Sequence, residues 1–125
     1  MKKVLATSAA PAAIGPYSQG IDGGSVVITS GQLPIDPATG AFAEGGIAEQ
    51  TRQSLENIKA ILAQAGLGME NVVTTTVFLK DMDDFAAMNE AYAAFFPGEP
   101  PARSAVEVAR LPKDARLEIE AIAVR

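Results

Sequence analysis

The chain has 125 residues, and none of them is histidine, cysteine or tryptophan. Without histidine it cannot build a Ser-His-Asp triad, an imidazole base or a histidine-ligated metal site. Without cysteine it has no disulfide, no thiolate nucleophile and no zinc-thiolate site. Proton transfer must therefore use aspartate, glutamate, lysine, tyrosine or water, and only a hard metal bound by carboxylates stays open.

Size and charge narrow the class of protein further. The length fits one domain, residues 1–125, and a composition of 48% hydrophobic and 20% charged residues is that of a globular protein. The net charge of −5 disfavours nucleic acid and anionic membranes as partners, since both are bound mainly through lysine and arginine. No segment approaches the ~20 apolar residues of a membrane span. A cytoplasmic protein is the default expectation.

Short strands and then an amphipathic helix are predicted in the first half of the chain. The predicted elements are strands at residues 2–6, 17–21 and 25–30, a loop at 31–46 and a helix at 47–65. The second and third strands are joined by Asp22-Gly23-Gly24, a turn typical of hairpins. The helix is indicated by apolar residues at steps of three and four, and Gly66 stands where a glycine commonly ends a helix.

The second half of the chain predicts a strand, a helix and two further strands. The predicted elements are a strand at residues 72–80, a helix after the aspartates at 81–84 that Pro97 ends, and strands at 102–109 and 116–124. In the first of these strands four residues share one face: Val73, Thr75, Val77 and Leu79. The last two strands are predicted to form a hairpin through the loop at 111–114.

Asn89 falls inside the apolar stripe of the second helix, one turn from both Phe85 and Tyr92. A buried asparagine must find hydrogen-bond partners, because an unpaired amide inside the protein is destabilising. The pattern favours an asparagine that bonds neighbouring backbone over one that faces a pocket.

Six strands and two helices predict an α+β fold with one mixed sheet and both helices on one face. Alternation in the last strand assigns Leu117, Ile119, Ala121 and Ala123 to the helix side. The opposite face is expected to mix charged and apolar residues: Arg103, Glu107, Glu118, Glu120, Ala105, Ile122 and Val124. Such a mixture predicts a subunit interface that contains a polar site.

The segment Pro101-Ala102-Arg103-Ser104, followed after a fixed spacing by Leu117-Glu118-Ile119, resembles the signature of the RidA family, also called YjgF/YER057c/UK114. Further similarity to the family runs through four stretches: residues 12–20, 28–34, 50–62 and 75–92. The resemblance covers essentially the whole chain.

The resemblance implies a homotrimer with a chorismate-mutase-like (RidA-like) fold and sites in clefts between subunits. It implies an enzyme that hydrolyses reactive 2-imino acids, derived from 2-aminoacrylate and 2-aminocrotonate, to 2-keto acids and ammonia. Imines hydrolyse readily in water, so a carboxylate clamp and an oriented water suffice, with no metal or organic cofactor.

The resemblance also implies roles for individual residues. Arg103 would clamp the substrate carboxylate, which suits its planar fork, Glu118 would orient or activate the attacking water, and Tyr17 would position the substrate. The substrate-binding positions that it implies are Ser30, Gly31, Phe85, Asn89 and Ala105. Many relatives have a cysteine at position 105, so thiol chemistry is excluded here and the reaction is expected to proceed without it.

Three alternatives to the enzyme remain open. A trimer could bind small carboxylates through Arg103 as a regulator without turnover, or it could act as a chaperone-like interaction protein. Some relatives are labelled endoribonucleases, but the negative net charge and the missing histidine argue against that activity.

Overall fold

Alternating apolar side chains form six β-strands, which the computed structural model, describing residues 1–125, joins in one mixed sheet in the order β1-β2-β3-β6-β4-β5. The strands are β1 (Lys3–Leu5), β2 (Gly20–Asp22), β3 (Val26–Thr29), β4 (Val72–Leu79), β5 (Ala102–Glu107) and β6 (Leu117–Val124). The helices are α1 (Ile47–Ala63) and α2 (Phe85–Ala93). Neighbouring strands are antiparallel except β4 and β5, which run parallel.

Both helices pack on the same face of the sheet, as the sequence predicts. The apolar stripe of α1, which includes Leu55, Ile58 and Ile61, is fully buried against strand residues such as Leu117 and Ile119. Full burial of each such side chain contributes about 1.5–3 kcal/mol. No helix of the chain is both long and apolar enough to cross a membrane.

The two helices end differently from one another. After α1 the chain turns at Gly66, whose φ of +73° lies in the region that glycine tolerates best. α2 ends at Ala93, four residues before the predicted end at Pro97, and is preceded by a 3₁₀ turn at Met82–Asp84 that Asp81 caps. The strand β2 begins only at Gly20, whereas the sequence predicts a start at Tyr17. Tyr17 therefore lies in irregular chain.

The predicted hairpin of β5 and β6 is wrong, because β4 lies between these two strands. The helix α2 carries the chain back across the sheet, so β5 pairs with β4 in parallel, as a strand–helix–strand crossover requires. The connection from β5 to β6 then passes the end of β4: the Val108 amide donates to the Leu79 carbonyl and the Lys80 amide to the Arg116 carbonyl.

The predicted mixed face is correct for β6 but wrong for β5, because Arg103 and Glu118 lie on opposite faces of the sheet. Arg103 is level with Thr75, a buried residue on the helix face of β4, and Glu118 is level with Phe78 on the other face. Glu107 and Ala105 share the helix side with Arg103, whereas Glu120, Ile122 and Val124 share the open side with Glu118. Val73 leaves the helix face because of a register shift between Val72 and Thr74.

The open face of the sheet carries a band of exposed apolar side chains. Its most exposed members come from four strands: Val4, Val26, Ile28, Val73 and Val106. The half-buried Ile122 and Val124 continue the band between them. An apolar area of this extent is typical of a surface that another protein chain covers.

The C-terminal Arg125 fastens the sheet to the turn before β3. Its two terminal nitrogens reach the two carboxylate oxygens of Asp22 at 2.9 Å each, and it also donates to the carbonyls of Gly24 and Ala65. The Arg125 hydrogen bonds lower the pKa of Asp22 to about 2 from 3.8. The stabilisation is therefore present above pH ~4 and is lost as the pH falls towards 2.

We expect Arg125→Met to lower the melting temperature by several degrees at pH 7. The difference in melting temperature between variant and wild type should become smaller as the pH falls from 4 to 2. Thermal unfolding followed by circular dichroism measures both. The matched control is Arg52→Met, because Arg52 meets Glu49 at 3.8 Å with both side chains about half exposed. A control loss as large as that of Arg125→Met would contradict the assigned contribution.

Candidate active site

Arg103 on β5 points towards α2 and forms a cluster with three of its residues, called here the Arg103 cluster: Arg103, Phe85, Asn89 and Tyr92. Its guanidinium carbon lies 4.8 Å from the ring centre of Tyr92 and 5.4 Å from that of Phe85. One terminal nitrogen donates to the Asn89 side-chain oxygen at 2.6 Å. The three residues therefore hold the guanidinium plane through stacking and one hydrogen bond.

The Tyr92 ring, which stacks on Arg103, is itself held in place by a residue of the sheet. Tyr92 is 5% exposed, and its hydroxyl shares a hydrogen bond of 2.6 Å with Thr75 on β4. Burial raises the pKa of Tyr92, so the ring stays neutral under the cation. Because no carboxylate lies within 4 Å of Arg103, the remaining guanidinium donors are free for an anion from outside the chain.

Asn89 differs from the interpretation that its sequence position favoured. It is exposed and bonds the Arg103 side chain, and no hydrogen bond joins its side chain to neighbouring backbone. Phe85, one turn earlier, is half-buried beside the core. Ala105 lies two residues after Arg103 on the same side of β5, half-buried and level with Val77.

A second group of residues surrounds a cavity of about 790 Å³, called here the Glu118 cavity. Glu118 at the start of β6 lines it together with Tyr17, Ser30 and Gly31, four of the residues that the resemblance implied. The rest of the lining comes from irregular chain at residues 7–14 and 32–40 and from the 3₁₀ turn that begins at Pro112. No member of the Arg103 cluster lines this cavity.

The backbone near Ser30 is held in place where it meets Glu118. The Ser30 hydroxyl donates to the Ser18 carbonyl at 2.6 Å, and its amide donates to the Gln19 carbonyl at 2.8 Å. Gly31 lies directly against the Glu118 side chain: a Cβ at this glycine would come within 2.7 Å of the carboxylate carbon. The absence of a side chain at Gly31 is what leaves room for the carboxylate.

The Glu118 carboxyl group has a raised pKa, so it keeps its proton to a higher pH than an ordinary glutamate. Burial raises its pKa above the ordinary 4.5, and the negative charge of Glu120, two residues on, raises it further. No lysine or arginine nitrogen lies within 4 Å of Glu118 to offset this. A carboxyl group with a raised pKa that lines a cavity is typical of general acid–base sites.

The chain therefore carries two separate groups, called here the half-sites: the Arg103 guanidinium, with no carboxylate partner, on one side of the sheet, and the Glu118 carboxyl group, of raised pKa, on the other. Within one copy they cannot act on the same small molecule. No group of three or more aspartate and glutamate side chains is placed to hold a metal ion.

Comparisons with known proteins assign the family. The model of the family described as endoribonuclease L-PSP matches residues 7–125. A curated Salmonella typhimurium protein named 2-iminobutanoate/2-iminopropanoate deaminase is 62% identical over 100% of this chain and 99% of its own. The chain belongs to the RidA (endoribonuclease L-PSP) family. The resemblance predicted from its motifs is confirmed.

Solved structures of RidA-family proteins match the fold closely. The Escherichia coli YjgF gene product has a TM-score of 0.95 at 58% identity, and each chain is covered to 98%. The Escherichia coli TdcF structure, with bound serine, has a TM-score of 0.95 at 53% identity with the same coverage of both chains. The predicted α+β fold is thereby confirmed.

Sequence reasoning missed several residues that shape these RidA half-sites. Tyr92 was assigned only to the apolar stripe of α2, although its spacing of three from Asn89 could have placed it under the arginine. Asn57 on α1 donates from its buried amide to the carbonyls of Leu33 (3.2 Å) and Ile35 (2.9 Å), and so holds part of the cavity lining. No periodic signal marks such a contact with irregular backbone.

We expect Gly31→Ala to keep the fold of this RidA-family protein but to displace the Glu118 carboxylate. The atoms that the new methyl group meets are the mobile end of that side chain, so the melting temperature should change little. If Glu118 serves catalysis, its displacement should lower kcat/KM for an imine about 10–100-fold.

Gly98→Ala is the control for this change, since nothing lies within 4 Å of a Cβ at Gly98. Steady-state kinetics and thermal unfolding of both variants measure the effect. Wild-type activity of Gly31→Ala would contradict the importance of this close approach.

Proposed function

We propose that this protein hydrolyses small 2-imino acids to 2-keto acids and ammonia, in sites that two copies of the chain build together. The observation that carries the proposal is the pair of half-sites: a stacked, unpaired arginine and an unpaired carboxylate of raised pKa. The 62% identical relative named 2-iminobutanoate/2-iminopropanoate deaminase supports the reaction. The relative with bound serine supports a ligand of amino-acid size with a carboxylate.

The assembly that we propose is a homotrimer in which the Arg103 cluster of one copy faces the Glu118 cavity of the next. The opposite placement of Arg103 and Glu118 on the sheet supports it, because one copy alone cannot bring them to one substrate. The apolar open face supports it as well, since it offers a surface for a second copy.

In this mechanism Arg103 binds the substrate carboxylate through two parallel hydrogen bonds. Phe85 and Tyr92 hold the guanidinium plane by stacking, and Asn89 fixes its rotation through the bond to one terminal nitrogen. The remaining nitrogens keep the fork geometry that a carboxylate needs. Ala105 adds no functional group, so the reaction uses no thiol.

The imine carbon then lies towards the Glu118 cavity of the neighbouring copy. Glu118 accepts a proton from a water molecule whose oxygen attacks C2 of the protonated imine. Glu118 returns this proton to the amino nitrogen of the resulting carbinolamine, and the C–N bond breaks to release ammonia. As the keto group forms, the hydroxyl proton passes to the Glu118 carboxylate, which gives it to the departing ammonia. Tyr17 positions the substrate by its hydroxyl, and the backbone of Ser30 and Gly31 lines the site. This chemistry requires no metal and no organic cofactor.

Three other functions would be left if the protein does not hydrolyse imines. The Arg103 cluster could bind carboxylates in a regulatory or chaperone-like trimer without turnover. The family description names an endoribonuclease, but a chain of net charge −5 lacks the excess of cations that binds phosphates. The cytoplasmic location and the lack of a nucleic-acid partner stay predictions.

The test generates the imine in place with a pyridoxal-phosphate-dependent serine or threonine dehydratase and traps it with semicarbazide. The protein should divert the imine to keto acid and so lower the yield of semicarbazone. An unchanged yield at every protein concentration would contradict the enzyme and leave the carboxylate-binding alternative. Light scattering at the same concentration reports the mass, for which three chains are expected.

The raised pKa of Glu118 predicts a pH dependence of both activity and stability. The acidic limb of kcat/KM should lie above pH 4.5, because the carboxylate must be ionised to accept a proton. For stability, a carboxyl whose folded pKa is raised stabilises the fold below its unfolded pKa, and that advantage is lost as the pH rises through the folded value.

Thermal unfolding of wild type and Glu118→Gln between pH 4 and pH 8 measures the stability part. The variant should gain stability relative to wild type as the pH rises. A difference in melting temperature that stays constant over this range would contradict the raised pKa.

A further inference from the structure

One wall of the Glu118 cavity is a segment, residues 7–14, that belongs to no helix or strand. Six of its residues line the cavity: Thr7, Ser8, Ala10, Pro11, Ala12 and Ile14. A segment of this kind has no ladder of backbone hydrogen bonds, so its position depends on the few groups that do hold it.

The side chain of Gln19, which is only 5% exposed, holds this wall. Its oxygen accepts from the Thr7 amide at 2.7 Å, and its nitrogen donates to the carbonyls of Thr7 at 3.0 Å, Ala10 at 3.2 Å and Pro11 at 2.7 Å. The Gln19 carbonyl meanwhile accepts the Ser30 amide at 2.8 Å. One residue thus connects the irregular wall to the backbone at Ser30 in the same cavity.

Little else fixes residues 7–14. The other hydrogen bond made by their backbone runs only two residues, from the Ala9 amide to the Thr7 hydroxyl. Ala10, at 2% exposure, is the one residue of the segment that joins the buried core. Without the Gln19 amide, three carbonyls in a poorly solvated place would lose their donor.

We propose that Gln19 is a positioning residue for the imine reaction, which fixes the cavity wall before substrate binds. The inference rests on the proposed function, because it assigns a role within that site. Gln19 does not line the cavity and touches no reacting atom. Its loss leaves Arg103 and Glu118 in place but makes the substrate order the wall as it binds.

The test compares Gln19→Met with Gln50→Met in the semicarbazide assay. Gln50 is a suitable match because it too is a buried glutamine, at 8% exposure. Its amide makes one long bond of 3.5 Å to the Ala43 carbonyl, and neither residue lines the cavity. Gln19→Asn, whose amide is one methylene shorter, is the milder second variant if Gln19→Met does not fold.

For Gln19→Met we expect KM to rise about tenfold or more while kcat stays within roughly threefold, since ordering is added to binding and not to chemistry. Hydrogen exchange of the free protein should speed up at the Thr7 amide, which donates to Gln19, and at the neighbouring Ala9 amide. Gln50→Met should show neither effect.

Equal exchange in Gln19→Met and wild type, a loss confined to kcat, or the same KM rise in Gln50→Met would overturn the proposal. Wild-type activity in the same assay reports on the proposed function separately. The exchange measurement needs no substrate, so it reports on the anchoring of the segment even if the wild type does not hydrolyse imines.

Discussion

Arg103→Ala should lower kcat/KM for 2-iminopropanoate by roughly 10²–10⁴-fold, because two charge-assisted hydrogen bonds of about 1.5–3 kcal/mol each are lost. The fold should survive, since β5 is an edge strand in the sheet order and the stacking that is lost contributes only about 0.5–1 kcal/mol. Arg103→Lys should restore little of the activity, because an ammonium cannot form the parallel pair of bonds.

The control for this prediction is Arg110→Ala, in the exposed connection that follows β5. It removes the same charge from the chain but touches neither half-site, so its kcat/KM should equal that of wild type. If Arg103→Ala kept more than about a tenth of wild-type kcat/KM, the carboxylate clamp would be the wrong assignment.

Glu118→Gln should lower kcat by about 10²–10⁴-fold with a small change in KM, since the amide keeps the shape of the side chain but cannot accept a proton from water. The variant should be no less stable than wild type at neutral pH, because it removes a half-buried charge that lies near Glu120. Activity and stability are thus expected to change in opposite directions, which unfolding of the site could not produce.

Glu120→Gln is the matched control for Glu118→Gln. Glu120 lies two residues further along β6 on the same face but is exposed and does not line the cavity. Its replacement should leave kcat near the wild-type value and should lower the pKa of Glu118, which shifts the acidic limb of kcat/KM to lower pH. A loss of kcat in Glu120→Gln equal to that of Glu118→Gln would contradict the assignment of the base.

Much of the fold follows from periodicity. The spacing of apolar residues in α1 and the alternation of buried residues in β6 predicted both elements and their buried faces, because each pattern depends only on local geometry. The hairpin between β5 and β6 could not be excluded in this way. The short predicted loop at residues 111–114 suggested the hairpin. The crossover through α2 instead places β5 beside β4, on the side away from β6.

The residues that surround the Glu118 cavity were predictable one by one, but the arrangement of the two half-sites was not. The RidA motifs pointed to Tyr17, Ser30, Gly31 and Glu118, and these four residues do line one cavity. The alternation of side chains shows which residues of one strand share a face. When a third strand lies between two strands, alternation cannot show which of their residues share a face, because that depends on the register of the pairing. For that reason Arg103 was expected beside Glu118, whereas it lies on the other face of the sheet.

The residues that no pattern marked act through contacts that exist only in the folded structure. A tyrosine in an apolar helix stripe looks the same whether it fills the core or carries a cation, and Tyr92 does both. Gln19 and Asn57 bond the carbonyls of irregular chain, whose path only the folded structure defines.

The most direct test of the shared site is complementation between two inactive variants. Arg103→Ala and Glu118→Gln chains, refolded together in equal amounts into mixed trimers, should regain about a quarter of wild-type activity. That is the share of subunit contacts in which an intact arginine of one chain meets an intact glutamate of the next. The double variant mixed with wild type should give about the same quarter if sites are shared, but about half if each chain holds a whole site. Mixed trimers, verified by native mass spectrometry, that stay as inactive as either variant alone would contradict a site built by two copies.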